Sequence, residues 1–156
     1  MLDDYEKFDR ESGEFYMRGR DDFEGFVQSL ENDEQGIDLP DGLVPCSHRW
    51  IVSPEGSIVG IVRVRHHIDH PFLAKEAGHI GYDVPPSHRG KGFGITSLKA
   101  GLTEARRLGL EEVLLCADDN NPASWRTIEH CGGVLESTYE SDHYGCLVRR
   151  YWIDLN

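Results

Sequence analysis

The order of elements along the chain predicts an α/β domain in which a mixed β-sheet carries helices on both faces. Three observations point to it. A strand–turn–strand signal occupies residues 49–65, a glycine-rich turn at residues 89–94 opens an amphipathic helix, and two strands close the chain after a second such helix. With 156 residues and no repeat, linker or low-complexity segment, the chain reads as one domain, residues 1–156.

The elements follow in order. Phe23, Phe26, Val27 and Leu30 recur at three- and four-residue steps, which predicts a helix over residues 21–32. Residues 36–45, rich in Gly, Pro and Asp, are loop. Residues 49–52 form a strand, Pro54, Glu55 and Gly56 a turn, and residues 57–65 a second strand. Residues 79–84 form a third, stopped by Pro85 and Pro86, which cannot donate to a ladder. After the glycines, Ile95, Leu98, Leu102, Ala105 and Leu108 make the apolar stripe of a helix that Gly109 ends. Residues 112–117 have the near-continuous apolar run of a buried strand. Asn121 and Pro122 suit the cap and first position of a helix that runs to His130 and stops at Gly132 and Gly133. Residues 134–139 and 145–155 are the closing strands.

Composition narrows the function classes. The net charge is −12, a field that repels nucleic-acid phosphates and anionic membranes and favours cationic small molecules or basic peptides. The same charge also serves plain solubility. No apolar run is long enough for a membrane span, and the acidic start is unlike a signal peptide, so a soluble cytoplasmic protein is expected. Cys46, Cys116, Cys131 and Cys146 lack ligand spacing and read as free thiols, with no metal expected. His66, His67 and His70 cluster in a loop without an acidic or cysteine partner at fitting spacing, and read as solvated histidines.

The chemistry is concentrated at residues 89–94. Gly90, Gly92 and Gly94 let the backbone turn tightly and approach a ligand. The turn feeds a helix N-terminus, whose free N–H groups and positive dipole end attract anions. Arg89 and Lys91 add charge beside it. This is a pyrophosphate cradle in an otherwise acidic chain. The ATP-type loop is excluded because Gly-Lys-Ser/Thr is absent, and the dinucleotide fingerprint fails because Ile95 stands where its third glycine belongs. Arg89, Gly92 and Gly94 match instead the pattern Arg/Gln-x-x-Gly-x-Gly/Ala.

That pattern, the strand before it, the helix after it, and the second helix running from Asn121, Pro122, Ala123 and Ser124 to Cys131, Gly132 and Gly133 resemble the GNAT acetyltransferases. The closing Arg149, Arg150, Tyr151, Trp152, Ile153, Asp154 and Leu155 resemble a subgroup of bacterial members. The resemblance covers the chain from about Trp50 onward and implies a GNAT-like fold and acetyl-CoA-dependent transfer of an acetyl group to a primary amine of a small molecule or basic peptide. It implies that the backbone of Tyr82, Asp83 and Val84 pairs with the pantetheine arm. It further implies that Arg89, Gly90, Lys91, Gly92, Phe93 and Gly94 hold the pyrophosphate, and that Asn121, with Ser124 beside it, contacts the cofactor or pins its loop. A homodimer is left open, as is a non-catalytic CoA-binding sensor or interaction module, and a bulkier acyl group is a further alternative.

Two departures stand out. Members place a strand before the first helix; here the chain either starts short of it or uses Phe15, Tyr16 and Met17. Many members also carry, in the second motif's helix, a Tyr that protonates the leaving thiolate, and Ile128 occupies that position. His79, at the start of the strand leading to the cofactor turn, is the candidate general base, because its ordinary pKa lies near the working pH. A hydrogen bond to a neighbouring strand is the alternative role for it. Arg63 and Arg65 share a strand face and either pair with the acidic N-terminal region or line the acceptor site. Tyr139 and Tyr144, in the closing hairpin, either border that site or are surface aromatics.

Overall fold

Asp9 and Asp22 divide the first 35 residues into three helices. The structure is a computed structural model that describes residues 1–156. Helix α1 spans Leu2–Phe8, α2 Arg10–Asp21 and α3 Phe23–Gln35. Asp9 caps α2 by accepting the Ser12 N–H at 3.3 Å, and Asp22 caps α3 by accepting the Gly25 N–H at 2.9 Å. Only α3 was expected. The other two carry short apolar stripes, and α2 contains glycines at positions 13 and 19. Those glycines are contact surfaces: a Cβ at Gly13 would collide with the Tyr5 side chain, and one at Gly19 would stand 2.9 Å from Phe26. Phe15, Tyr16 and Met17 lie inside α2, so they form no strand, and no strand precedes α3.

Strands β1 (Cys46–Val52), β2 (Ile58–Arg65) and β3 (Ile80–Asp83) form one antiparallel sheet in that order. A single π-turn, Leu73–Ala77, precedes β3, and a 3₁₀ turn, Pro86–His88, follows it. Helix α4 spans Phe93–Arg107, β4 Glu112–Asp118, α5 Pro122–His130, β5 Val134–Ser141 and β6 Cys146–Asp154. The second sheet has the order β4-β6-β5, again antiparallel. The expected α/β class holds. The single mixed sheet is in fact two antiparallel sheets of three strands.

Alternate residues of β2 face opposite sides. Val62 and Val64 pack with Leu98, Leu102 and Ala105 of α4, and with Val113 and Leu115 of β4, in the main core. Ile61 points the other way into a second core of Tyr5, Tyr16, Phe26 and Leu30. Helices therefore cover both faces. Leu98 is wholly buried, and truncating it to Ala would cost about 2–5 kcal/mol.

Besides this shared core, the two sheets are joined through their backbones at one place. The Gly78 and Leu115 backbones form an isolated bridge, and the His79 N–H donates to the Leu114 carbonyl at 2.7 Å. Beyond it β3 pairs only with β2, so its other edge is free from Ile80 to Asp83.

Candidate active site

The free edge of β3 leads into a cleft of about 660 Å³ between α4 and α5. Tyr82, Asp83 and Val84 form one wall, Arg89, Gly90, Gly92, Phe93 and Gly94 the next, and Asn121 and Ser124 the third. These ten positions, far apart in sequence, thus converge on one space. Lys91 is outside the lining; its Nζ donates to the Ser87 carbonyl at 2.9 Å and so braces the turn from behind.

Local geometry explains the turn. Gly90 and Gly92 have φ of 73° and 84°, a region where a side chain is strained. Gly92 caps α4 without a side chain, and no backbone carbonyl accepts the N–H of Gly92, Phe93 or Gly94. Three donors and the positive end of a 15-residue helix thus face the cleft. Asn121 accepts the Ser124 N–H at 3.2 Å, capping α5 while lining the opposite wall. The Tyr82 hydroxyl donates to the Ser124 carbonyl at 3.0 Å and ties β3 to α5; burial pushes its pKa up.

The lining also holds residues that sequence reasoning missed: Asp9, Ser12, His88, Ile95, Ala123 and Thr127. Asp9 and Ser12 come from the N-terminal helices, and no local pattern ties them to residues 89–94. The Arg89 Nη2 donates to Asp9 at 2.5 Å, and its Nε to the Val84 carbonyl at 3.0 Å. The hydrogen bond from Arg89 holds the Asp9 carboxyl below its ordinary value. Asp4 accepts both the N–H and the hydroxyl of Ser87, at 3.0 and 2.9 Å, so α1 is fastened to the same turn.

Asp83 ends β3 with its carboxylate directed at the N-terminal helices. The Tyr16 hydroxyl and Arg63 Nη2 donate to its Oδ2 at 2.5 and 3.0 Å, and Oδ1 has no partner. Arg63 thus pairs with the strand beside it, and Tyr16 brings α2 into the same contact. Arg65 reaches the carbonyls of Gly78 and Ala77 at 2.9 and 3.5 Å, both through Nη1.

His79 is outside the cleft lining, at the junction of the sheets. It is 7% exposed, and its Nδ1 accepts the Leu114 N–H at 2.9 Å, which puts the ring proton on Nε2. Burial first, then the charges of Arg65 and His67, push its pKa down to about 4. Glu76, in the π-turn, is also buried. Burial alone would raise its pKa, but hydrogen bonds from Ser141, Tyr139 and Lys75 outweigh that and hold it low. The Tyr139 hydroxyl lies 2.8 Å from Glu76 Oε2, so this tyrosine clamps the π-turn. Tyr144, half exposed, sits among Phe72 and His143 at the hairpin tip. Ile128 is 1% exposed in the main core. The clustered histidines have separate partners: His66 pairs with the Ser47 hydroxyl, His67 with Asp69, and His70 accepts the Phe72 N–H. All four cysteines are free thiols, and no helix is long and apolar enough to cross a membrane.

Known proteins give the arrangement a context. No curated protein matches the sequence. Among solved structures, spermidine N-acetyltransferase from Vibrio cholerae in complex with CoA and spermine is similar, with 19% identity, 84% of this chain and 75% of that chain covered, and a TM-score of 0.63. The acetyltransferase yncA from Salmonella typhimurium with acetyl-CoA is similar at 20% identity, 65% and 60% coverage, and a TM-score of 0.52. These likenesses establish the fold. The profile of the acetyltransferase (GNAT) family matches residues 5–132, most of the chain. With an anion cradle at the start of α4 and a free strand edge in the same cleft, the chain belongs to the GNAT acetyltransferase family, the enzymes that move an acetyl group from acetyl-CoA to an amine.

Proposed function

We propose that residues 1–156 act as one catalytic domain and that acetyl-CoA lies along the β3 edge, its pyrophosphate on the turn at residues 89–94. The observation that carries this is the set of unpaired N–H groups of Gly92, Phe93 and Gly94 beside Arg89, in the cleft that β3 opens. The pantetheine amides pair with the backbone of Tyr82 to Val84, and Asn121 with Ser124 holds the opposite side.

The amine attacks the thioester carbonyl directly. A C–N bond forms, the C–S bond breaks, and the thiolate leaves. Backbone N–H groups at the end of β3 receive the developing oxyanion. Ile128 has no proton to give, so water protonates the thiolate, whose ordinary pKa of roughly 8.5 makes it a tolerable leaving group. An alkylamine of pKa roughly 10.4 arrives as ammonium. We assign its reception to Asp83 Oδ1, the unpartnered oxygen of a cleft residue: one ammonium proton passes along this carboxylate to solvent water before attack, and the second leaves the acylated nitrogen by the same route as the C–S bond breaks. His79 suits this task poorly: its Nδ1 is occupied by the Leu114 N–H, and the residue stands outside the cleft lining. Its role in this reading is to join the sheets.

The acceptor is a small-molecule amine or a basic peptide. The polyamine enzymes of the same fold and the net charge of −12 support an amine acceptor. Free thiols support a cytoplasmic setting. The test is acetyl-CoA consumption over an amine panel with wild type and Asp83→Asn. The expected result is turnover by wild type, and a fall of roughly a hundredfold in kcat/KM for the variant at unchanged CoA affinity. CoA binding without turnover of any amine would favour a binding module instead.

A further inference from the structure

The strand arginines of this chain find carboxylates with one exception. Arg49 pairs with Glu34 and Glu104, Arg63 with Asp83, Arg149 with Asp119 and Arg150 with Glu136. Arg65 has no ion pair in a chain that carries 28 Asp and Glu residues. Its only hydrogen bonds are the two from Nη1 to backbone carbonyls, which leaves Nη2 and Nε unpaired. Neither of these donors is sealed from solvent, so both are open to an anion that could replace water on them. Burial, and the charge of Arg63 beside it, lower its pKa.

Position gives the idle donors a meaning. Arg63 and Arg65 lie on one face of β2, about 7 Å apart along the strand. It is the face on which Asp83 meets Arg63. Arg63 is opposite Gly81 in the ladder, and Asp83 is one register step beyond, opposite Ile61. The Arg63 Nε is buried without a partner, so the same face holds a second unsatisfied donor. A negative group near these arginines and a positive group at Asp83 Oδ1 together describe a molecule with two charged ends.

We propose that the acceptor carries a carboxylate several ångströms from its reacting amine, and that Arg65 binds this carboxylate while Asp83 receives the ammonium. The inference rests on the amine-acetylation reading and narrows its substrate class from amines in general to ω-amino carboxylates, whether free or as part of a larger molecule. Arg65 acts as a specificity residue; it touches the far end of the substrate and no reacting atom. The alternative is that Arg65 is only a strap on the carbonyls of Ala77 and Gly78.

The matched pair 6-aminohexanoate and hexylamine separates these roles, because the two differ only in the end distant from the amine. At saturating acetyl-CoA, kcat/KM is expected to favour 6-aminohexanoate by roughly ten- to a hundredfold, the range of a charge-assisted hydrogen bond. Arg65→Gln should bring the ratio close to one by raising the KM of the acid alone, and Arg65→Lys should keep part of the preference. Equal rates for the pair in wild type, or an equal loss for both substrates in Arg65→Gln, would overturn the inference. A second measurement needs no turnover: with CoA present, 6-acetamidohexanoate should raise the melting temperature more than N-hexylacetamide, and the difference should vanish in Arg65→Gln. If neither amine is acetylated but this difference stands, the acetyl-transfer reading fails and the carboxylate site survives. If amines turn over and the difference is absent, the carboxylate site fails alone.

Discussion

Asp9 and Arg89, 80 positions apart in the chain, meet at 2.5 Å inside the cleft. The one cation of the glycine turn that faces the cleft is therefore shared with a carboxylate of the N-terminal helices. On the proposed binding mode, the pyrophosphate competes with Asp9 for it. Asp9→Asn removes the competing charge but keeps a side chain that can cap α2. We expect CoA to bind several-fold more tightly to this variant, with a steeper salt dependence, in a titration at two ionic strengths. Weaker binding would mean that Asp9 orients Arg89 for the ligand.

Gly92 provides a test of the cradle in two steps. Nothing lies within 4 Å of a Cβ built there, but its φ is 84°. Gly92→Ala should lower stability by about 1–2 kcal/mol from backbone strain and leave measurable CoA binding. Gly92→Asp adds a negative charge among the free N–H groups and should abolish the rise in melting temperature that CoA causes. A normal CoA response in the Asp variant would place the pyrophosphate elsewhere.

His79 is buried and the side chain of His48 is nearly so, and both have their pKa pushed down to about 4, by burial first. The unfolded chain, with histidines near 6.5, then binds more protons than the folded one. Their stability contribution is complete above about pH 6.5 and is lost as pH falls toward 4, on the order of 2 kcal/mol for each. Glu34, held at about 2 by its hydrogen bonds from Arg49, loses its contribution in a lower window, below about 4.5. Urea midpoints between pH 7.5 and 5 should thus fall for wild type and fall less for His79→Gln. Gln can still accept the Leu114 N–H, so turnover at pH 7.5 should stay within a few-fold of wild type. A loss of a hundredfold in that variant would restore His79 as the base.

Ile128, at the position where the family resemblance puts a proton-donating tyrosine, is sealed in the core, and a Cβ on Gly133 would touch its Cγ2 closely. Restoring the tyrosine should not restore an acid. Ile128→Tyr should overpack the site and lower stability by about 1–3 kcal/mol with no gain in kcat, as read by denaturation and steady-state rates.

Much of this was legible in the sequence because its signals are local. Leu98, Leu102 and Ala105 repeat at helical spacing, Asn121 and Pro122 mark a helix start, and the glycines of residues 89–94 announce a turn; each is decided by neighbours a few residues away. The strand ending at Pro85 and Pro86 was equally local, and the family resemblance laid the proposed cofactor wall of Tyr82, Asp83 and Val84 on it; the three do line one cleft. What stayed hidden depends on distant pairs. Helix α2 is stabilised by Tyr5 and Phe26 reaching into the gaps at Gly13 and Gly19, contacts that no periodicity reports. Asp9 enters the cleft only because α1 docks through Asp4 on Ser87. His79 read as a poised base because its residue type has the right ordinary pKa; its surroundings, set by Leu114 across the sheet junction, moved that pKa away.

The single backbone junction at Gly78 and Leu115 also fixes the angle at which the edges of β3 and β4 part. From that point to Asp83 the free edge extends roughly 15 Å, so a rotation of about 4° at the junction widens the far mouth by about 1 Å. The width of the gap at Asp83 is thus an angular property of residues 78 and 79, set at a distance from the mouth itself.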